Sequence, residues 1–262
     1  MGNGTVVITR VVEGRQWHAL EDDEVVGRGH ALSRPDGRVF VSIDSWHAAV
    51  FHELAGVMLG DLPAPLWTVV DEADSDQLRA WQRVGFVARR REWEYVMATD
   101  PGVTGLGGRL GAGHGPEGLR IVPAGQAEEG LLGELYRQVR AEVEATVGWQ
   151  SMPVEVLPRL DEGVPLHPER YAVAVLGERY VGLARVAPLP RRPRIGLIAV
   201  REELRRRGVA RALLGHVLGL MYEGGIGAAS AEVDEGNRAA VHLVEGIGGR
   251  RVSSAVEMVW GG

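Results

Sequence analysis

The chain has 262 residues, of which 45% are hydrophobic and 24% are charged, and its formal net charge is −6. All 29 basic residues are arginine, and cysteine does not occur. Without cysteine there are no disulfides, no thiol catalysis and no cysteine-ligated metal sites, which is typical of a cytoplasmic protein. The length allows one large domain or two ordinary ones.

Membrane, nucleic-acid and metal functions are not expected. No apolar run approaches the roughly 18 residues that a membrane-spanning helix needs, and the first residues lack the basic and apolar regions of a signal peptide. The arginine clusters are short and dispersed over an acidic chain, which makes a poor electrostatic footprint for DNA. His47 and His52 are five positions apart, so they do not share a helical face as a metal pair would.

The first 97 residues predict a small α/β domain. Strands are predicted around Val26-Gly27 and at 39–43. A third strand ends in Val70-Asp71-Glu72 and is followed by a short helix, by Gly85, and by a final strand that contains Glu94 and Val96.

A glycine-rich segment follows this domain. Residues 98–118 contain eight glycines and two prolines and have no hydrophobic period, so they are predicted to form a linker. The predicted domains are therefore residues 1–97 and residues 119–262.

The order of strand and helix patterns in the second domain predicts a mixed α/β layer fold, in which a twisted mixed sheet is flanked by helices. Residues 127–147 are predicted to be helical because Leu131, Leu135 and Val139 recur at three-to-four spacing. A second helix follows in the Pro-marked loop region. The predicted strands are 119–122, 171–176, 179–187, 195–200, 228–233 and 252–260, and the later helices are 209–221 and 237–245.

The two predicted domains resemble each other. Val70-Asp71-Glu72 recurs as Val233-Asp234-Glu235, a shift of 163 positions. The same shift places Gly85 on Gly248, Glu94 on Glu257 and Val96 on Val259, and Val26-Gly27 matches Val181-Gly182 more loosely. A repeat of this length indicates duplication of a whole domain.

The most informative segment is the loop between the strand at 195–200 and the helix that begins at Val209. A loop that enters a helix N-terminus directs several backbone N–H groups at one point and, with the helix dipole, forms an anion site. Gly208 and the small Ala210 allow a pyrophosphate to approach the backbone. Arg205-Arg206-Arg207 can add charge-assisted hydrogen bonds.

This segment resembles the GNAT superfamily of N-acetyltransferases. The family's Arg/Gln-x-x-Gly-x-Gly/Ala loop is met by Arg205-x-x-Gly208-x-Ala210, and its preceding strand pattern by Ile198-x-Val200-x-Glu202-Glu203-Leu204. The family's Asn-x-x-Ala-x-x-Leu pattern is met by Asn237, Ala240 and Leu243, and its closing glycine by Gly248. The resemblance covers nearly all of residues 119–260.

The resemblance implies a splayed pair of strands, 195–200 and 228–233, that holds acetyl-CoA. The expected cofactor contacts are Ile198, Ala199, Val200, Arg205, Arg206, Arg207, Gly208, Val209, Ala210, Arg211, Asn237, Ala240 and Val244. The family also implies a strand bulge at Val200, which makes its backbone N–H the expected oxyanion donor.

The first domain lacks this loop. From Ile43 to Asp71 there are 28 residues, against 34 from Val200 to Asp234, and the deficit falls where the loop would lie. Asp74 also stands where the second domain has Asn237. Residues 1–97 are therefore predicted to be a degenerate GNAT-like domain without cofactor.

The catalytic groups are less clearly predicted. The family's usual acid is a Tyr after Leu, and here Val244 follows Leu243. Another residue or water would then protonate the thiolate, or the thiolate leaves unaided, or the domain binds acyl-CoA without turnover. Glu232 and Asp234 share a strand face with Ser230. Glu232 and Asp234 are the candidate base residues, while Ser230, Trp149 and Gln150 are candidate acceptor contacts.

The sequence therefore predicts an acetyl-CoA-dependent N-acetyltransferase that acts on a primary amine of a small molecule or peptide, as a monomer or homodimer. The alternative is a non-catalytic acyl-CoA-binding or regulatory protein, favoured by Val244. An aminoacyl-tRNA-dependent transferase of related double fold is a second rival, although such chemistry needs no CoA loop.

Overall fold

The computed structural model describes residues 6–11, 15–34, 36–107, 115–146, 148, 166–189 and 192–262. Its contacts divide the chain into two compact units. Unit 1 comprises Met1–Glu92 together with Ser253–Gly262, and unit 2 comprises Trp93–Val252.

Unit 1 is a mixed sheet with two helices. Its strands, in sheet order, are β1 (Val7–Val11), β2 (Gln16–Glu21), β3 (Glu24–Ser33), β4 (Val39–Ser45) and β5 (Leu66–Asp71), followed by the end of β12 (Arg250–Trp260). Strands β1 to β4 pair antiparallel, β4 and β5 pair parallel, and Ala255–Trp260 pairs antiparallel with β5.

The helices of unit 1 are α1 (Ala48–Asp61) and α2 (Ser75–Arg83). Val50, Leu54 and Met58 recur every four residues and are buried, so one stripe of α1 faces the sheet. Glycines on β3 allow this close packing. A Cβ at Gly29 would lie 2.3 Å from the Met58 sulfur, and one at Gly27 would lie 2.7 Å from Val50.

Unit 2 is a second mixed sheet. Its sheet order is β6-β11-β10-β9-β8-β7. The strands are β6 (Val87–Ala98, of which unit 2 holds the part from Trp93), β7 (Leu119–Val122), β8 (Tyr171–Leu176), β9 (Arg179–Ala187), β10 (Arg194–Val200) and β11 (Ala228–Asp234). The helices are α3 (Pro101–Thr104), α4 (Glu129–Glu144), α5 (Val209–Glu223) and α6 (Arg238–Glu245).

Two hydrophobic clusters cover the two faces of this sheet. One joins α5 and α6 to the sheet through residues such as Leu213, Leu214 and Val244. The other joins α4 to β8, β9 and β10 through residues such as Leu132 and Leu197. Gly182 on β9 permits the approach of α5, since a Cβ there would lie 3.2 Å from Leu213.

The predicted mixed α/β architecture is confirmed, and most of its elements agree with the sequence patterns to within two residues. The largest difference is α4, which is shorter than the predicted 127–147 helix. The second helix predicted before β8 falls on residues outside those that the structure describes.

The units differ from the predicted domain boundaries because the last strands of the repeat are exchanged. Glu94 and Val96, on β6, belong to unit 2, whereas their repeat partners Glu257 and Val259, on β12, belong to unit 1. Thus each unit receives its final strand from the other half of the sequence.

Part of the predicted linker is packed structure. Asp100 caps α3 by accepting a hydrogen bond from Gly102 N–H at 2.8 Å. Leu106 is 1% exposed and packs in the core of unit 2. Its carbonyl oxygen lies so close to α5 that a Cβ on Gly215 would come within 2.7 Å of it. The first half of the predicted linker therefore belongs to unit 2, and residues 108–114 lie outside the described part of the chain.

Candidate functional site

A gap between two parallel strands forms the centre of the candidate site in unit 2. Among the described residues, β10 and β11 register as a parallel pair only at Arg194 and Ser230. Ser230 N–H also donates to the carbonyl of Pro193 at 3.0 Å, before β10 begins. Beyond this point each strand leaves backbone groups on the edge that faces the other, as the resemblance implied.

The backbone groups of β10 that face this gap follow from its pairing with β9. Arg201 N–H donates to the Val181 carbonyl at 3.0 Å, so the preceding pair, Val200 with Gly182, is the non-hydrogen-bonded type. The N–H and C=O groups of Val200, and of Ile198 two residues earlier, therefore point away from β9 and into the gap. The Val200 carbonyl accepts from the Arg205 Nε at 3.2 Å.

The bulge of β10 is not where the family pattern placed it. The register with β9 shifts between Ile195 and Leu197, at Gly196, and is regular from there to Val200. Val200 directs its N–H into the gap because of ordinary antiparallel alternation, so no bulge is needed at that residue.

The loop before α5 has the backbone geometry of an anion site. Arg206 has φ 64° and Gly208 has φ 85°, both left-handed, and Arg206 is the one non-glycine residue with positive φ in the described part of unit 2. A left-handed non-glycine residue costs about 1–2 kcal/mol. Alternation of left- and right-handed residues turns successive N–H groups toward one point.

The first turn of α5 adds further donors. The first backbone bond of the helix runs from Ala212 N–H to the Gly208 carbonyl, so the N–H groups of Val209, Ala210 and Arg211 have no helical acceptor. No side chain caps this helix end. The loop and the first turn therefore present a contiguous set of donors to an anion.

The arginines of the loop have different surroundings. The Arg205 guanidinium forms an ion pair with Glu142 on α4 at 2.5 Å, and the other oxygen of Glu142 accepts from Glu202 N–H at 3.4 Å. Arg205 therefore holds the loop against α4. Arg206 and Arg207 are exposed, and Arg211 lies near the C-terminal end of α6, 3.6 Å from a Cβ placed on Gly246.

Asn237 is the N-cap of α6. Its side-chain oxygen accepts from Ala240 N–H at 3.1 Å. Asp74 does the same for α2 in unit 1, accepting from Gln77 N–H at 2.9 Å. Because Asn and Asp cap helices equally well, this difference between the units does not indicate which of them binds a cofactor.

The candidate base residues are already engaged. The Glu232 carboxylate forms an ion pair with Arg194 at 2.5 Å, and Asp234 accepts from Gly236 N–H at 2.7 Å in the turn before α6. Ser230 is 6% exposed. Glu232 therefore approaches an acceptor amine only if its ion pair with Arg194 opens.

Val244, which occupies the usual tyrosine position, is buried in the core of unit 2. Tyr95 of β6 lies in the same cluster, and its hydroxyl donates to Glu245 at 2.8 Å. Burial, together with this hydrogen bond, raises the pKa of Tyr95. Its proton is committed to Glu245, so the usual acid has no evident replacement among the described residues.

A buried polar group on the α4 face was missed by the sequence patterns. Arg185, in the middle of β9, is 3% exposed. It lies directly opposite Tyr171 of β8 in the pairing of the two strands. The signal in the sequence is one arginine in the otherwise apolar run 180–187.

Two of the candidate acceptor residues, Trp149 and Gln150, lie outside the described residues. Within the described ranges, no group of three or more His, Asp or Glu side chains is arranged to hold a metal ion. None of the described helices is long and apolar enough to cross a membrane.

Unit 1 keeps the gap between strands but has no loop of this kind. Its strands β4 and β5 pair only at Val39 with Leu66 and at Phe40 with Trp67 in the described part. Residues 46–47 join β4 to α1, whereas residues 201–208 join β10 to α5. A cavity of about 230 Å³ at this strand end is lined by Val25, Val26, Gly27, Arg28, Asp44 and Trp46.

Comparison with known proteins gives the same family as the motifs. Residues 138–248 match the model of the acetyltransferase (GNAT) family. This range runs from the second half of α4 through the loop, α5, β11 and α6. No curated protein matches the sequence significantly.

Solved structures resemble nearly the whole chain. A GCN5-related N-acetyltransferase from Sphaerobacter thermophilus superposes with a TM-score of 0.68 and 18% identity, covering 96% of this chain and 82% of that one. A tandem GNAT protein from the clavulanic acid biosynthesis pathway gives 0.61 and 14%, covering 94% and 82%. A GCN5-related N-acetyltransferase from Kribbella flavida gives 0.60 and 14%, covering 97% and 90%.

The fold, the gap and the loop define an acyl-transfer type of protein. Residues 138–248, which make up most of unit 2, match the acetyltransferase (GNAT) family and form its domain in this chain.

Proposed function

We propose that unit 2 transfers an acetyl group from acetyl-CoA to a primary amine of a small molecule or peptide. The observation that carries this proposal is that the gap beside β10 leads to the anion-binding loop at the start of α5. The gap beside Ile198 and Val200 presents backbone hydrogen-bonding groups, and it leads to the donor-rich loop at the start of α5. A long ligand with a peptide-like arm and a pyrophosphate fits this combination.

Each part of the chain has a distinct task in holding acetyl-CoA. The amides of 206–211 would hold the pyrophosphate, and the exposed side chains of Arg206 and Arg207 would add charge. The edge of β10 at Ile198 and Val200 would pair with the amide groups of the pantetheine. Ala240 and Val244 would contact it from α6.

The chemistry requires orientation, charge stabilisation and proton transfer. Acetyl-CoA, when bound, supplies an activated thioester. The Val200 N–H is directed into the gap and would donate to the oxygen that becomes negative as the amine attacks. A carboxylate such as Glu232 would take a proton from the amine through water, after release from Arg194.

One observation favours a second function. Val244 occupies the position of the usual acid. The hydroxyl of Tyr95, in the same cluster, already donates a hydrogen bond to Glu245. A domain that binds acyl-CoA as a sensor needs the gap and the loop but not the acid. The two functions share the cofactor site and differ in turnover.

Calorimetry with acetyl-CoA, followed by measurement of CoA release over a panel of primary amines, separates the two. Binding with turnover on at least one amine supports the transferase. Binding without turnover on any amine supports the sensor. If acetyl-CoA does not bind to the intact chain, both are refuted.

The role of Glu232 has its own test. Glu232→Gln is expected to lower kcat while leaving the affinity for acetyl-CoA unchanged. Arg194→Gln is the matched control, because it breaks the same ion pair but leaves the carboxylate available. An unchanged rate in Glu232→Gln would remove this residue from the mechanism.

A further inference from the structure

The cavity of unit 1 lies beside a bulge in β3. It has a volume of about 230 Å³ and is lined by residues 25–28 of β3 together with Asp44 and Trp46. The register of β3 with β2 shifts here and leaves Val26 without a partner on β2. A bulge bends its strand and interrupts the ladder. Since an apolar cavity of about 150 Å³ already admits benzene, this cavity has room for a small organic molecule.

Two opposite charges reach this cavity without pairing. Arg28 and Asp44 lie directly opposite each other on β3 and β4. They alternate with Gly27 and Ile43, which face α1, so they lie on the other face of the sheet. Both side chains are exposed, and neither forms an ion pair or a side-chain hydrogen bond with any residue in the described ranges. Each is therefore available to a ligand group of the opposite charge.

Trp46 supplies an apolar wall. It is 73% exposed and is the most exposed large hydrophobic side chain in the described part of the chain. Its backbone N–H donates to the Val26 carbonyl at 3.3 Å, which holds the residue at the end of the strand pair. Val25 lines the same cavity. An apolar group of a ligand would remove the Trp46 ring from water and gain the free energy of that burial.

The same place in unit 2 is covered by a helix. Leu183 and Ala199 are opposite each other on β9 and β10, as Arg28 and Asp44 are on β3 and β4, and they pack in the apolar cluster that contains α4. The two described helices of unit 1 both pack on the opposite face, in the cluster that contains Ile43. Without a helix over this face in the described part of unit 1, the pair of charges is accessible to a small molecule.

We propose that this cavity binds a free α-amino acid with an apolar side chain. The ammonium group pairs with Asp44 and the carboxylate pairs with Arg28. Only one carbon separates these groups in the ligand, which suits two protein side chains whose Cβ atoms are about 5 Å apart across a strand pair. A ligand with a single charge leaves one protein charge unpaired and is repelled by it. The apolar side chain of the ligand lies against Val25 and Trp46.

Four probes test this in calorimetry on the intact chain. L-Leucine is compared with leucinamide, which lacks the carboxylate, with N-acetylleucine, which lacks the ammonium group, and with glycine, which lacks the apolar side chain. We expect Kd for leucine to be about tenfold lower than for each of the others, the usual size of a charge-assisted hydrogen bond or of a buried leucine side chain. No leucine binding at millimolar concentration, or equal affinities for leucine and any of the three, would overturn the proposal.

Variants at the exposed positions assign each preference to one residue. Asp44→Asn should remove the difference between leucine and N-acetylleucine, and Arg28→Gln the difference between leucine and leucinamide. Trp46→Ala should remove most of the difference between leucine and glycine. Asp76→Asn is the control, because its carboxylate is 93% exposed on α2 and does not line the cavity. Wild-type leucine affinity in Asp44→Asn or Arg28→Gln, or a loss of affinity in Asp76→Asn, would refute the assignment.

This proposal depends on residues of unit 1 alone, so it can fail independently of the proposed function. Leucine and acetyl-CoA are titrated separately into the same protein. If acetyl-CoA binds and leucine does not, the cofactor site of unit 2 stands and the amino-acid site is refuted. If leucine binds and acetyl-CoA does not, the amino-acid site stands and the transferase proposal fails.

Discussion

Gly208→Ala tests whether the loop before α5 is the anion site. Gly208 is the N-cap of α5 with φ 85° and ψ −6°, a left-handed conformation that costs an alanine about 1–2 kcal/mol. In the free protein the altered loop can relax out of this conformation, so that binding must restore it. That requirement weakens acetyl-CoA binding by about 5–30-fold, the ratio that corresponds to 1–2 kcal/mol.

Gly177→Ala is the matched control. Gly177 lies in the turn between β8 and β9 with φ 62°, and nothing lies within 4 Å of a Cβ added there. The same conformational cost therefore falls on the stability of the protein and not on the loop. We expect both variants to unfold at lower urea concentration, and only Gly208→Ala to lose affinity in calorimetry. Wild-type affinity in Gly208→Ala would show that the loop amides do not hold the pyrophosphate.

Three further changes probe the charges that surround the sites. Glu257→Gln should lower the free energy of unfolding by about 3–5 kcal/mol, since its buried carboxylate pairs with two partly buried arginines, Arg38 and Arg90. Glu94→Gln is the control, because the Glu94 side chain is 38% exposed and its loss should cost under about 1 kcal/mol. Equal losses for the two variants in urea denaturation would contradict this prediction. Glu142→Gln should weaken acetyl-CoA binding a few-fold by releasing the Arg205 anchor, and unchanged affinity in calorimetry would show that the loop holds its shape alone. Arg206→Gln should reduce the salt dependence of acetyl-CoA affinity, because it removes an exposed charge near the phosphate, and an unchanged slope between low and high ionic strength would exclude that contact.

The elements of the candidate site could be predicted because their signals are local. The change from an apolar strand to a glycine-containing loop and then to an apolar-periodic helix identifies β10, the loop and α5 without knowledge of the rest of the chain. The N-cap role of Asn237 can also be predicted from the local sequence, since a polar residue just before a helix is a typical N-cap. The family motif predicts that Asn237 contacts the cofactor, whereas in the structure the side-chain oxygen of Asn237 caps α6.

Other features depend on packing between distant residues. Arg185 has the sequence pattern of an exposed strand position, and its burial is decided by α4, whose Tyr136 lies some fifty positions earlier in the chain. The engagement of Glu232 by Arg194 likewise requires the register of β10 against β11. Sequence patterns report the alternation of one strand and cannot report which strand lies beside it.

The exchange of final strands is an example of the same limit. β6 and β12 are repeat partners whose apolar residues alternate in the same way. The sequence pattern of each strand therefore fits either sheet and does not indicate which sheet the strand joins. A dividing line drawn at residues 98–118 therefore separates each sheet from one of its own strands.

This exchange has a consequence for how the duplicated chain can change over time. The first half is predicted to hold no cofactor, but its removal would take Trp93–Ala98 from unit 2 and leave β11 with an unpaired edge. Loss of the C-terminal half would likewise take Ala255–Trp260 from β5. Neither copy can be discarded without damage to the other, so selection for one activity preserves both.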